Sequence, residues 1–117
     1  MHIIAVDDEP LALGLLVRSI REACPVAQIS EFQSGHEALQ FLESNRCDVA
    51  FLDIHMRGID GLTLAKKIKE LNPQCNLIFV TGYSEYICIV ECSCGLTMRH
   101  LVRRNNTDCG DMLTCIL

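Results

Sequence analysis

The sequence predicts an α/β domain: a doubly wound, largely parallel β-sheet with helices on both faces. Short apolar runs alternate with longer segments whose apolar residues recur at helical spacing, and the links between them are short. That order is typical of right-handed βαβ units. The chain has 117 residues, 50% of them hydrophobic and only 5% aromatic, which indicates one small domain with an aliphatic core.

The first two strand and helix pairs occupy the N-terminal part of the chain. Residues 2–6 form a strand-like apolar run, and residues 10–23, "PLALGLLVRSIREA", follow as a helix with a proline near its start, where a missing N–H costs little. Residues 26–32, "VAQISEF", alternate as a second strand. Residues 34–44, "SGHEALQFLES", open with a serine N-cap and continue as a second helix.

The remaining elements become less regular toward the C-terminus. Residues 48–53, "DVAFLD", read as a buried strand, residues 61–71, "GLTLAKKIKEL", as an amphipathic helix, and residues 76–81, "NLIFVT", as another buried strand. A fifth strand is predicted at residues 96–102, "LTMRHLV". Residues 107–117 offer only a stub of a last helix.

Charge and composition exclude several classes of function. Acidic residues outnumber basic ones, 15 to 10, for a net charge of −5, so we expect no direct binding of nucleic acid. The N-terminus has only four consecutive apolar residues before two aspartates, too few for a signal peptide or a membrane span. We therefore expect a cytoplasmic protein that binds no membrane, with its eight cysteines as free thiols by default.

Four polar residues end the predicted strands. Asp7 and Asp8 follow the first strand, Asp53 ends the third and Thr81 the fourth. Ligands of open α/β sheets bind at the carboxyl ends of the strands, so these side chains are predicted to converge at one edge.

Three converging carboxylates raise each other's pKa unless a cation lies among them. Oxygen ligands without histidine or cysteine favour Mg²⁺, which takes one or two carboxylates together with phosphate oxygens. The remaining aspartate can then act as a nucleophile toward a phosphoryl group, with the hydroxyl of Thr81 hydrogen-bonding one of the transferring oxygens.

The segments "VDDEP", "FLDIHMRGIDG" and "FVTGYSEY" resemble the receiver domain of two-component response regulators, over residues 2–86. The resemblance implies a flavodoxin-like sheet with strand order 2-1-3-4-5 and transfer of a phosphoryl group from the phosphohistidine of a sensor histidine kinase. The segments "MRGIDG" and "TGYSEY" are most similar to those of receivers that precede a LytTR-type DNA-binding output domain. We expect no such output domain within these 117 residues.

The same resemblance implies the roles of individual residues. Asp53 would be the phosphoacceptor and Thr81 the switch hydroxyl that turns toward the new phosphate. Asp8 would bind Mg²⁺ directly and Asp7 mainly through water. Asp53 and the main-chain carbonyl of His55 would complete the ligand set. The chain would catalyse its own phosphorylation at most and is not predicted to be an enzyme.

The C-terminal part departs from the family pattern. All three lysines lie at positions 66, 67 and 69, so the lysine that pairs with the phosphate in the family has no counterpart, and no Phe or Tyr follows Tyr86. One hypothesis is that residues 1–86 are receiver-like and residues 87–117 are a shifted reading frame or an altered tail. The other is that the chain is a divergent member of the family.

Two other functions stay open beside the phosphoacceptor. The first is a pseudo-receiver, a binding or dimerisation module that works without phosphorylation, which the missing lysine favours. The second is an independent phosphotransferase or phosphatase, which would need a catalytic acid two residues after Asp53, where His55 stands.

An incomplete far edge of the sheet would expose apolar area, so we expect a homo-oligomer.

Overall fold

A computed structural model describes residues 1–80, 86–91 and 97–102, the last two segments by their backbone. Over these residues the chain alternates strands and helices before ending in two consecutive strands. Their order is β1 (His2–Val6), α1 (Pro10–Ala23), β2 (Gln28–Phe32), α2 (Gly35–Leu42), β3 (Val49–Leu52), α3 (Gly61–Leu71), β4 (Asn76–Val80), β5 (Tyr86–Glu91) and β6 (Thr97–Val102).

The first four strands form the parallel sheet that the sequence predicts. The strand order is β2-β1-β3-β4-β5-β6, so β1 and β3 lie between β2 and β4. Ile3 pairs with Ile29 on one side and with Val49 on the other, and all three pairings among β1 to β4 are parallel. The predicted order 2-1-3-4 is confirmed.

Both faces of this sheet are covered, which explains why its central strands are apolar throughout. Successive strand residues point to opposite faces. In β1, Ile3 and Ala5 pack with α1, whereas Ile4 and Val6 pack with α2 and α3. All four residues of β3 have no exposed surface. The two core layers hold β1 and β3 rigidly at the centre, so whatever follows these strands is placed by the core.

Beyond β4 the structure corrects the expected fifth parallel strand. Only five residues separate the end of β4 from the start of β5. A parallel crossover needs a dozen or more residues, so β5 must run antiparallel to β4. The strand predicted at residues 96–102 exists as β6, but it is the sixth strand and is antiparallel to β5. The helical stub predicted at residues 107–117 lies outside the described residues.

Local hydrogen bonds fix where the helices begin. The Ser34 hydroxyl accepts the N–H of Glu37 at 3.2 Å, and the Asp60 carboxylate accepts the N–H of Thr63 at 2.7 Å. These two caps satisfy N–H groups that the first turns of α2 and α3 leave unpaired. Helix α1 begins instead with Pro10, which has no N–H to satisfy. In the part of the chain that the structure describes, no helix has the length and apolar character needed to cross a membrane.

Candidate acidic site

Three carboxylates meet at the carboxyl edge of the parallel sheet. Asp7 and Asp8 follow β1 and Asp53 follows β3; the last residues of these two strands, Val6 and Leu52, are paired. One oxygen of each carboxylate lies within 4.8 Å of the others. The convergence predicted from the strand ends is therefore present.

A backbone N–H group orients each carboxylate. The N–H of Glu9 donates to Oδ1 of Asp7 at 2.9 Å, and that of His55 to Oδ1 of Asp53 at 3.4 Å. Oδ2 of Asp8 accepts the N–H of Arg57 at 3.0 Å, across 49 positions of sequence. This last bond ties the loop after β3 to the loop after β1.

The cluster is electrostatically strained. Asp7 is only 8% exposed, and burial raises its pKa to about 6, although the N–H of Glu9 opposes the shift. The charges of Asp53 and Asp8 add to the increase. Burial also raises the pKa of Asp53, with a further contribution from Asp8, while the N–H of His55 lowers it. The folded chain therefore holds negative charge that it does not neutralise well.

These properties fit a hard divalent cation. The donor set consists of carboxylate oxygens, two of them half-exposed, with a buried third. Mg²⁺ prefers such ligands and keeps several waters, which the open side of the site can accommodate. A cation here would offset the free-energy cost of burying the charged carboxylate of Asp7, the cost that raises its pKa.

Two glycines shape the loop between Asp53 and α3. Gly58 has φ of +77°, a conformation that side chains disfavour. A Cβ on Gly61 would collide with the carbonyl oxygen of Asp53, and the N–H of Gly61 donates to the carbonyl of Ile54 at 2.9 Å. The loop thus folds back on the backbone of Asp53.

Arg57 contributes to the site through its backbone. Its N–H is the donor to Asp8, and a proline at this position would have no N–H to give. The contact between the two loops therefore requires a residue other than proline here. Main-chain donors such as Arg57 and Glu9 depend on loop geometry and leave no signal in the sequence, which is why sequence reasoning missed them.

Two predicted residues need separate mention. For His55 the structure shows the N–H bond to Asp53, and its carbonyl remains a predicted ligand. Thr81 follows Val80, the last residue of β4, and lies outside the described residues.

Sequence comparison identifies relatives over most of the chain. Residues 3–108 match the response regulator receiver domain family. The sensory transduction protein LytT of Enterococcus faecalis is 36% identical over 86 residues, which are 74% of this chain and 36% of LytT. The positive alginate biosynthesis regulatory protein of Pseudomonas aeruginosa is 36% identical over 87 residues, 74% of this chain and 35% of that protein. The chain thus spans about a third of the length of these relatives.

Solved structures give the same assignment. The response regulator TrrA of Thermotoga maritima, in complex with Mg²⁺ and beryllium fluoride, is 36% identical, with a TM-score of 0.63 over 71% of this chain and 70% of TrrA. The same regulator bound to the histidine kinase ThkA matches with a TM-score of 0.62 over the same shares of the two chains. Together, the family match, the identity to known regulators and the parallel sheet with its acidic edge show that the chain belongs to the response regulator receiver domain family.

Proposed function

We propose that this receiver takes a phosphoryl group from a sensor histidine kinase onto Asp53 with the help of Mg²⁺. The observation that carries the proposal is the cluster of three carboxylates, with oxygens within 4.8 Å of one another, at the carboxyl edge of β1 and β3. An unneutralised cluster of this kind costs stability. A role that requires a cation beside a nucleophile explains why the fold tolerates it.

Asp53 is the nucleophile of this proposal. Its carboxylate is half-exposed, whereas that of Asp7 is buried, so Asp53 is the more accessible to a donor. One of its oxygens forms a bond to phosphorus as the bond from phosphorus to the kinase imidazole breaks, and the imidazole leaves with the bonding electron pair and takes up a proton. The N–H of His55 keeps the carboxylate directed toward the open side.

The remaining residues of the site hold the cation. Asp8 binds it directly and Asp7 mainly through water, and Asp53 and the main-chain carbonyl of His55 complete the set. Bound Mg²⁺ supplies positive charge to the oxygens of the transferring phosphoryl group. The N–H of Arg57 holds Asp8 in place for this task. Thr81 is proposed as the hydroxyl that binds the new aspartyl phosphate.

Helix α1 offers a surface for the kinase. It begins at Pro10, two residues after Asp8, so a protein bound to it lies beside the acidic site. Leu11 and Leu15 are 78% and 62% exposed, and Gly14 between them leaves the surface open. An apolar pair of this kind suits a protein partner, and the TrrA and ThkA complex shows that a related receiver binds a histidine kinase.

The output is proposed to be transcription. Two relatives are described as a sensory transduction protein and a positive regulator of alginate biosynthesis, and this chain matches about a third of each. A LytTR-type DNA-binding domain, suggested by the sequence segments "MRGIDG" and "TGYSEY", is the proposed partner of the receiver.

A pseudo-receiver is the second candidate, and the lysine content favours it. No lysine follows Lys69, so the sequence lacks the ammonium that pairs with the phosphate in other receivers. Such a chain would bind Mg²⁺ without forming a productive phosphorylated state.

Thermal unfolding with Mg²⁺, fluoride and beryllium tests the proposal, because beryllium fluoride stands in for the phosphoryl group on the aspartate. We expect Mg²⁺ alone to raise the melting temperature and beryllium fluoride to raise it further. Asp53→Asn should lose the second increase. A second increase that survives in Asp53→Asn, or no response to Mg²⁺, would contradict the proposed site, while a response to Mg²⁺ alone would support the pseudo-receiver.

A further inference from the structure

Two buried thiols lie against each other at the amino ends of β3 and β4, the opposite edge of the sheet from the acidic site. Cys47 comes two residues before β3 and Cys75 comes directly before β4, and these strands are hydrogen-bonded neighbours. Their sulfur atoms are 3.0 Å apart. From Cys47 to Asp53 the chain advances about 20 Å along β3, so the pair lies far from the carboxylates.

We propose that Cys47 and Cys75 form a reversible disulfide when the protein meets a two-electron oxidant of the hydroperoxide class. The sulfur separation is about 1 Å longer than a disulfide bond of about 2.05 Å. The register that pairs Val49 with Asn76, continued by one residue, sets Cys75 opposite Asp48, one residue from Cys47. A strand spacing of about 4.8 Å and a rise of about 3.3 Å per residue then give a Cα separation of about 6 Å, within the range that disulfides span. Formation of the bond brings the two sulfurs about 1 Å closer.

The pair is buried, but only one layer below the surface. Cys47 is 3% exposed and Cys75 has no exposed surface, and both belong to the core that α2 and α3 cover. Each is preceded by an exposed loop residue, Arg46 and Gln74 respectively. In this proposal the hydroperoxide approaches at these two exposed loop ends.

The surroundings give the two sulfurs different roles. The two thiols share a hydrogen bond, and the side-chain N–H of Asn72 lies 3.7 Å from the sulfur of Cys47. These contacts hold the pKa of Cys47 below its usual range although burial opposes them. The hydrogen bond with Cys47 raises the pKa of Cys75, and burial raises it further. Cys47 is therefore the attacking thiolate and Cys75 the resolving thiol.

The reaction balances with one equivalent of peroxide. The Cys47 sulfur attacks one peroxide oxygen, the O–O bond breaks and a sulfenic acid forms. The other oxygen takes up the proton released by Cys47 and leaves as water from hydrogen peroxide, or as an alcohol from an organic hydroperoxide. The Cys75 sulfur then displaces the hydroxyl of this sulfenic acid as water. Two thiols have lost two hydrogens, and two electrons have passed to the peroxide.

The cross-link would tie together the bases of β3 and β4. It would enclose residues 47–75, which include Asp53 and all of α3. Closing this loop restricts the unfolded chain. The midpoint of urea unfolding should therefore lie at a higher urea concentration for the oxidised protein than for the reduced one. In a reducing compartment such bonds are transient and act in redox sensing.

Mapping of the disulfide in the full chain tests the proposal. The native protein is treated with a small molar excess of hydrogen peroxide, its free thiols are alkylated in denaturant, and it is cleaved with trypsin and chymotrypsin, which separate Cys75 from Cys88 at Phe79. We expect mass spectrometry to find the Cys47 peptide joined to the Cys75 peptide, and dithiothreitol to release it. Cys24→Ser, the control for a half-buried thiol elsewhere, should leave the linkage unchanged.

Single substitutions test the assigned roles. In Cys75→Ser, Cys47 should stop at the sulfenic acid and be trapped when the oxidised protein is unfolded in denaturant that contains dimedone, whereas Cys75 in Cys47→Ser should give no adduct. The wild-type experiment decides the proposal even if a variant fails to fold. Alkylation of both cysteines while other thiols oxidise, or a linkage that forms only in denaturant, would overturn it.

Discussion

The two edges of the parallel sheet differ in how well their polar groups are stabilised. At the carboxyl edge, Asp7, Asp8 and Asp53 crowd together, and burial raises the pKa of Asp7 to about 6. At the opposite edge, Asn72 donates its side-chain N–H to the carbonyl of Cys47 at 2.7 Å, and no buried polar side-chain atom in the described residues lacks a partner. One edge stores unfavourable charge, whereas at the other edge the Asn72 amide satisfies a buried carbonyl group.

The difference indicates where function lies in this fold. Polar groups that the core can satisfy contribute to stability, whereas groups left in conflict persist because a ligand resolves the conflict. Substitutions at the two edges should therefore have opposite signs. Removing a charge at the carboxyl edge should stabilise the fold and abolish ligand binding, and removing a polar group at the opposite edge should destabilise the fold and leave ligand binding intact.

The largest expected effect comes from Gly61, where the loop touches the backbone of Asp53. A Cβ there meets main-chain atoms that cannot move aside, so Gly61→Ala should lower the free energy of unfolding by about 3 kcal/mol. Urea denaturation measures it. The matched control is Gly14→Ala on the exposed surface of α1, where nothing lies within 4 Å of the new Cβ and we expect a gain of about 0.5–1 kcal/mol. Equal effects of the two substitutions would show that the close contact does not matter.

Asp7→Asn should stabilise the protein without metal. The amide keeps an oxygen for the N–H of Glu9 but carries no charge, so we expect a gain of about 2 kcal/mol at pH 7. The same variant should lose most of the stabilisation by Mg²⁺. Urea denaturation with and without Mg²⁺ measures both, and a destabilised variant that still responds to Mg²⁺ would mean that the carboxylate is not under strain.

The pH dependence follows from the same group. The pKa of Asp7 is raised from 3.8 in the unfolded chain to about 6 in the folded one, so the folded state binds more protons between these values. Its contribution to stability is present below about pH 4 and is lost as the pH rises through about 6. Mg²⁺ competes with this proton, so its affinity should increase over the same range. The Asp7 contribution is isolated by subtracting the profile of Asp7→Asn, and a difference that is flat from pH 4 to 7 would contradict the account.

At the opposite edge, Asn72→Ala should destabilise the fold by about 1–2 kcal/mol, because the carbonyl of Cys47 loses its buried donor. Stabilisation by Mg²⁺ should be unchanged within error. Chemical denaturation and a Mg²⁺ titration of the same sample measure the two quantities. A weakened response to Mg²⁺ would show that the edges are coupled.

Most of the parallel half could be predicted from the sequence. Strands buried on both faces read as continuous apolar runs, and the aspartates after β1 and β3 had only one edge at which to meet. No strand was predicted at residues 86–91, so the short link after β4, which decides the antiparallel direction of β5, had no second strand to apply to. The sulfur contact between Cys47 and Cys75 depends on strand register, which spacing along the chain does not reveal.

The expectations for the C-terminal part remain predictions. LytT and the alginate regulatory protein match over 86 and 87 residues, while the family match extends to residue 108. Both an altered tail after residue 86 and a divergent receiver are consistent with this difference, and reading the encoding DNA in the other two frames distinguishes them. The expected homo-oligomer is checked by light scattering, where a monomer at working concentration would contradict it.

The most direct test of the central claim is intact mass spectrometry after incubation with Mg²⁺ and acetyl phosphate, beside Asp53→Asn. The account predicts a gain of one phosphoryl group in the wild type, dependent on Mg²⁺ and absent from the variant. A wild-type mass that does not change while Mg²⁺ still binds would contradict the account and leave a receiver fold that does not accept phosphate.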